Sequence, residues 1–320
     1  MTVAQTANDL EDIPLPERRD RPVTLLHRLE LAVVAALDGL FRVLGVGLAS
    51  AVAGKFMRYA GPLIRPVSRK AERNLALVYP DWTEAQRRKT VKDVWENVGR
   101  TAAEFAHLET LREPENNPRL EIIGKEKLDT IRESGKPVIF FSGHLANWEL
   151  GAAVLQRLGL KYAFVYRAAN NPLTDEYIIK VRARSMTRYQ IPKGKRGGRA
   201  LVDALKGGRS LAMVVDQKLN SGISVPFLGI PAMTAPAPAR LSLKYDAPLV
   251  QISIERLKGA RFKLTVRDPV DFEATGDAAA DTQALTLKIN EALERDIRAN
   301  PGQWLWFHRR WPKELYTKSG

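Results

Sequence analysis

From residue 137 onward the chain switches repeatedly between short apolar runs and longer stretches of helical periodicity, and this alternation limits the possible folds most. The apolar runs cover residues 137–142, 162–166, 210–215, 248–253 and 262–266, with helical patterns over about 147–158, 173–188, 197–206 and 235–245 between most of them. A last amphipathic pattern carries Leu285, Ile289, Leu293 and Ile297 on one face and stops at Asn300-Pro301-Gly302. Strands that alternate with helices predict an α/β fold with a mixed, mostly parallel sheet covered by helices. No internal repeat or low-complexity tract breaks the pattern.

Ahead of that region the segmentation is simpler. Residues 1–21 are polar, proline-bearing and aperiodic, which predicts a disordered lead-in. Residues 22–66 form a segment dominated by "LELAVVAALDGLFRVLGVGLASAVAG" and read as membrane-associated; the catalytic domain is expected over 67–320. Charges inside the apolar run and the long polar lead argue against a secretory signal. A spanning helix has the length, yet each charge at mid-membrane costs about 2.5–3.5 kcal/mol. Asp38 and Arg42 stand four apart and can pair on one helix face. The favoured reading is a helix lying in, or shallowly inserted into, the interface; a buried core helix is the alternative. Between 68 and 112 the pattern is helical, with Thr83 as a candidate N-cap.

Composition enters through charge and cysteine. Fifty Lys and Arg against 36 Asp and Glu give a net charge of +14, which calls for an anionic partner. The chain has no cysteine, which excludes disulfide scaffolds, cysteine–zinc sites and cysteine nucleophiles.

The stretch "PVIFFSGHLANWEL" carries the clearest chemistry. A fully apolar strand ends at Gly143, His144 follows at its carboxyl end, and Asn147 is the candidate N-cap of the next helix. Open α/β sheets place their ligand crevices at such strand ends. His144 and Glu149 are five apart and would not share a helix face, so they meet only if the histidine lies in the turn. That arrangement suits a general base oriented by a carboxylate and does not suit a metal pair. A hydrogen-bonded structural histidine is the bland alternative.

Five blocks in order, "SGHLANWE", "VYRAANNP", "KRGGRALVDALKGGRSLAMVVDQ", "VPFLGIPAMTAPAPARLSLKYDAPLV" and "QWLWFHRRW", resemble the late lipid A acyltransferases, the lauroyl/myristoyl type within the HxxxxD/E glycerolipid acyltransferase superfamily. The resemblance runs from about residue 70 to the C-terminus, and the apolar N-terminal segment resembles the family's membrane anchor. It implies that His144 takes the proton from an acceptor hydroxyl while Glu149 orients the imidazole. It also implies that the acyl group comes from acyl carrier protein and that no metal, nucleotide or other cofactor takes part. Arg167, just past the second apolar run, becomes a phosphate or oxyanion clamp; its rival role is pairing with Asp175 or Glu176. Asp216, Gln217 and Lys218 fall in the acceptor crevice, with helix capping as the rival role for Asp216. Asn147 and Arg199 join the substrate-binding set, Arg199 through the basic cluster Lys193, Lys195, Arg196 and Arg199, whose rival reading is a solvated loop. "QWLWFHRRWP" reads as a terminal strand packed on the core, with His308 outside the catalytic set.

The expected activity is therefore acyl transfer onto a lipid A precursor at the cytoplasmic face of a bacterial inner membrane, with acyl carrier protein, the anionic lipid acceptor and the membrane surface as partners. A glycerophospholipid or phosphatidylinositol-mannoside acyltransferase is the alternative within the superfamily. A non-catalytic basic membrane-binding protein is the alternative from another class. Nucleic acid is not expected, because the 193–199 cluster has no interleaved aromatic residue.

Overall fold

The computed structural model describes residues 22–115 and 117–317. The lead-in expected over 1–21, and the side chains of Lys195 and Arg196, lie outside what is described. Within the described residues nine strands form, β1 to β9 in chain order: Leu120–Ile123, Ile139–Ser142, Tyr162–Tyr166, Gln190–Pro192, Ser210–Val214, Ile223–Phe227, Ile230–Thr234, Leu249–Arg256 and Phe262–Pro269. The main helices are α1 Leu25–Ala60, α2 Arg65–Val78, α3 Glu84–Phe105, α4 Leu108–Leu111, α5 Lys125–Ser134, α6 Trp148–Arg157, α7 Pro172–Ser185, α8 Lys195–Lys206, α9 Ala237–Tyr245 and α10 Ala278–Ala299.

Seven strands make one sheet in the order β1-β9-β8-β2-β5-β3-β4, parallel throughout except where β8 meets β9. The mixed, mostly parallel α/β sheet predicted from the alternation is the architecture observed. Strand β2 sits at its centre, and its continuous apolar run has the physical reason expected of it. Ile139 and Phe141 enter one buried cluster with Leu293 and Ile297 of α10, while Phe140 enters the other with Leu150 and Val154 of α6. Strands β6 and β7 form a separate antiparallel hairpin.

Several elements differ from the sequence reading. Strands β1 and β4 are only four and three residues long, too short to show a period. The hairpin strands carry Pro226 and Pro231 opposite one another, and proline argues against a strand unless it is an edge. "QWLWFHRRWP" forms no strand beyond an isolated bridge from Trp304 to Leu145; its tryptophans are buried in turns, where alternation is not required. Thr83 does cap α3, and the capping box closes with Gln86 at the third position.

Helix α1 is broken at Gly45, whose φ of 71° and ψ of 158° belong to a region only glycine enters readily. Its second half packs closely on α3: a side chain at Gly99 would meet the Ala53 carbonyl, and one at Gly54 would meet Arg100. Asp38 pairs with Arg42 at 2.8 Å, as the spacing predicts, and accepts from Tyr177 of α7 at 2.8 Å. Asn171 donates to Glu30 at 2.8 Å and to the His27 carbonyl at 2.9 Å. Polar contacts thus fix α1 on the catalytic fold along one side. The other side leaves Leu26, Leu29, Val33, Leu40, Val43, Val52, Phe56 and Leu63 exposed, three, four or seven residues apart on each side of the break. The segment Leu25–Leu63 is long and apolar enough to cross a bilayer by length and composition.

Candidate active site

Strand register builds the site. Ser142 of β2 lies opposite Val214 of β5, and two residues beyond each are His144 and Asp216. Chains leaving paired parallel strands in step bring those side chains together. His144 Nδ1 is 2.6 Å from Asp216 Oδ1, and the His144 backbone N–H donates to Asp216 Oδ2 at 2.7 Å. The indole N–H of Trp304 donates to the same Oδ2 at 2.6 Å. Gly143 makes room for this, since a Cβ there would stand 3.0 Å from Leu145 and 3.3 Å from Asp216 Oδ2.

Asp216 is 2% exposed. Burial alone would raise its pKa, but the charge and hydrogen bonds of His144 together with the Trp304 N–H outweigh that and hold it well below the carboxylate range. It is therefore an acceptor-only carboxylate at neutral pH, so in the neutral tautomer that this contact selects the His144 proton sits on Nδ1 and Nε2 is left as the acceptor. The side chain of His144 is 16% exposed, and the Gln217 amide lies 3.5 Å from Nε2.

The carboxylate in contact with His144 is Asp216 and not Glu149. Glu149, 5% exposed, receives two hydrogen bonds from Arg182, at 2.9 and 2.5 Å, and one from the Trp148 indole at 3.2 Å. Arg182 in turn lies over Phe164 and Tyr166. Glu149 reaches His144 only through Trp148, whose ring stands edge-on to the imidazole at 5.3 Å. The physical reason is the first turn of α6, which carries Glu149 toward α7, while β5 delivers a nearer acid. Glu149→Gln should lower stability by about 1–3 kcal/mol, because Arg182 loses its charge partner in a buried place. Urea midpoints measure this. Adding Arg182→Met should recover part of the loss, and no recovery would mean the pair is not what stabilises this corner.

Asn147 stands at the N-cap position of α6 without capping it. Its amide donates to Glu104 at 3.1 Å, inside a buried group that also holds the turn before it. Ala146 has a φ of 47°, a costly conformation for a non-glycine residue. Its N–H donates to the Gln303 carbonyl at 3.0 Å, and its own carbonyl accepts from Asn97 at 3.0 Å and Thr101 at 2.8 Å. Arg256, at the end of β8, donates to both oxygens of Glu104 and to Asn97. Asn147 thus supports the turn from below.

The basic residues divide. Arg167 is exposed past the end of β3, and its positive charge helps lower the pKa of both Lys193 and His308. Of its proposed surface partners, Asp175 accepts from the Ala169 N–H at 2.7 Å and Glu176 pairs with Lys180 at 2.6 Å. Lys193 keeps part of its surface in solvent, yet its ammonium donates to the Val214 carbonyl at 3.1 Å. Desolvation pulls its pKa below the ordinary value. Arg199 points away, 91% exposed and 3.8 Å from Asp203 on its own helix. The pKa of His308 is lowered, first by burial and then by the basic groups around it, Lys70 and Arg167 among them. Among the described residues no group of three or more His, Asp or Glu is arranged to hold a metal.

Beside Trp148 and Glu149 opens an apolar cavity of about 400 Å³, walled by Val34, Leu37 and Phe41 of α1, Val98, Ala102 and Phe105 of α3, and Ile178 of α7. The sequence reading singles out neither Trp148 nor Trp304 for the site. Their position within two apolar, aromatic-rich blocks disguises them as core.

The site is thus a histidine–aspartate pair at neighbouring parallel strand ends, with an apolar cavity on the far side of Trp148. The profile of the bacterial lipid A biosynthesis acyltransferases matches residues 19–313, and this chain belongs to that family, which makes it an acyltransferase of lipid A biosynthesis. It is 27% identical over 253 residues to the lipid A biosynthesis myristoyltransferase of Escherichia coli strain K12, spanning 78% of this chain and 76% of that protein. It is 27% identical over 272 residues to the lipid A biosynthesis lauroyltransferase of the same organism, spanning 83% of each. A lipid A biosynthesis acyltransferase of Haemophilus influenzae is 27% identical over 250 residues, covering 75% of this chain and 76% of its own length.

Proposed function

We propose that this acyltransferase moves a fatty acyl chain from the thioester of acyl carrier protein to a hydroxyl of a phosphorylated lipid A precursor, with His144 as general base. The observation that carries the reading is the His144–Asp216 pair standing beside an apolar cavity that Trp148 and Glu149 help to line. The acceptor O–H gives its proton to Nε2 as its oxygen attacks the thioester carbon. The imidazolium is stabilised by Asp216 across the 2.6 Å contact. Collapse of the tetrahedral intermediate breaks the C–S bond, and the imidazolium returns the proton to the departing thiolate. The acyl chain occupies the apolar cavity, and the exposed stripe of α1 lies against the cytoplasmic face of the inner membrane. The chain's net charge of +14 favours the acidic carrier protein, the phosphorylated acceptor and an anionic membrane surface.

The test is acyl transfer on vesicles, with carrier-protein thioesters of graded chain length and product masses read by mass spectrometry. Ala102→Phe intrudes on the cavity and should shift preference to a chain shorter by two or more carbons, at about tenfold selectivity or less. Unchanged chain preference would move the acyl chain out of this cavity, and absence of any acyl ester product would remove the reading. Flotation with the same vesicles reports the membrane contact: Val43→Glu with Phe56→Glu should weaken it.

A further inference from the structure

A second concavity lies beyond the dyad, on the far side of Gln217 from the imidazole in chain order. It measures about 370 Å³ and is lined by Lys218, Asn220, Arg309, Trp311 and Lys313. Three cations converge there, and no acid shares the lining. Among the described residues none of the three makes an ion pair with a carboxylate. Like charges gathered in a concave place repel one another, and a multivalent anion relieves that repulsion while taking several donors at once.

The surroundings keep the cluster facing outward. Arg310, between the lining residues, turns inward instead. It donates to the Met233 carbonyl at 3.1 Å and to Thr234 Oγ1 at 2.8 Å, and lies over Phe227. Its neighbour Arg309 stays exposed, flanking Tyr316. Trp311 is fully buried, with its indole N–H donated to the Phe227 carbonyl at 3.0 Å, so the floor of the pocket is fixed. The Arg309 guanidinium offers a planar fork, Lys218 and Lys313 offer point charges, and the Asn220 amide adds neutral donors, a set that matches a phosphate monoester. An acidic protein helix would need a broad convex contact and would not use a pocket of this size.

We infer that the Lys218–Arg309–Lys313 pocket binds a phosphate monoester of the acceptor lipid headgroup and so sets which hydroxyl reaches His144. The inference rests on the acyl-transfer reading above. Lys218 lies two residues past Asp216, about 7 Å along an extended chain. The pocket therefore begins within two residues of the carboxylate that contacts His144. Positioning by a fixed anion raises the fraction of acceptor in reacting geometry.

The test uses the full chain and an Arg309→Gln plus Lys313→Gln variant, whose changes fall on exposed side chains. Acceptors are a phosphorylated glucosamine lipid and the same lipid after phosphatase treatment, each in phosphatidylcholine vesicles. Wild type should prefer the phosphorylated lipid in kcat/KM, and the variant should lose about tenfold or more of that preference. Equal loss on both lipids overturns the site. A rise confined to the KM for the acyl carrier protein also overturns it and gives the surface to the carrier. Inorganic phosphate should inhibit wild type weakly and by competition with the phosphorylated lipid; equal inhibition against both lipids would assign the pocket to free phosphate and overturn the headgroup reading. Flotation decides the matter if wild type transfers no acyl chain, an outcome that sinks the acyl-transfer reading by itself. Phosphate-dependent vesicle binding that the variant loses would still uphold the pocket, and phosphate-independent binding would end it.

Discussion

An Asp216→Asn enzyme should fold and yet turn over about 10³–10⁴-fold more slowly than wild type, the scale of loss when a base histidine is held in the wrong tautomer. The hydrogen-bond arrangement dictates the direction. The His144 N–H and the Trp304 indole both donate to Oδ2. An asparagine must therefore place its carbonyl there, because its NH₂ would oppose two donors. The NH₂ then faces Nδ1, which becomes an acceptor, and the proton moves to Nε2, where the base is needed. Steady-state kinetics beside a thermal melt check this. A folded Asp216→Asn enzyme at wild-type rate, with Glu149→Gln inactive, would show that the working dyad uses Glu149 after a rearrangement of Arg182.

His144→Ala should lower turnover by about 10²–10⁴-fold by removing general-base catalysis, with the acceptor KM much less affected. Because the two residues act as a unit, the double variant His144→Ala plus Asp216→Asn should be no slower than His144→Ala alone. Multiplying losses would mean that Asp216 has a catalytic role apart from the histidine.

How much of this is legible in the sequence depends on the range over which each feature is determined. The β2 run and the histidine at its end are local: five apolar residues followed by Ser-Gly-His need no knowledge of neighbours. Pairing of His144 with Asp216 is not local, because it depends on β5 and not β3 lying beside β2. Glu149 is the acid nearest in sequence, but α6 carries it to Arg182, a partner 33 residues away. The same reason conceals Asn147, whose N-cap spacing is correct but whose side chain is drawn to Glu104. The hairpin of β6 and β7 hides behind its prolines, and "QWLWFHRRWP" passes for a strand because burial of alternate tryptophans imitates a pleat.

The Glu104 group has a consequence for biosynthesis. It joins Ser50 of α1, Asn97, Thr101 and Glu104 of α3, the turn at Ala146 and Arg256, while Gln303 and Trp304 close the same turn and the Asp216 carboxylate. Contacts that span so much of the chain carry a large loop-closure cost before they repay it. During translation the histidine leaves the ribosome long before the residues that hold it, since N-terminal segments emerge first. The centre therefore matures last, when residues near 304 have emerged, and the nascent chain passes through synthesis with its chemistry unassembled.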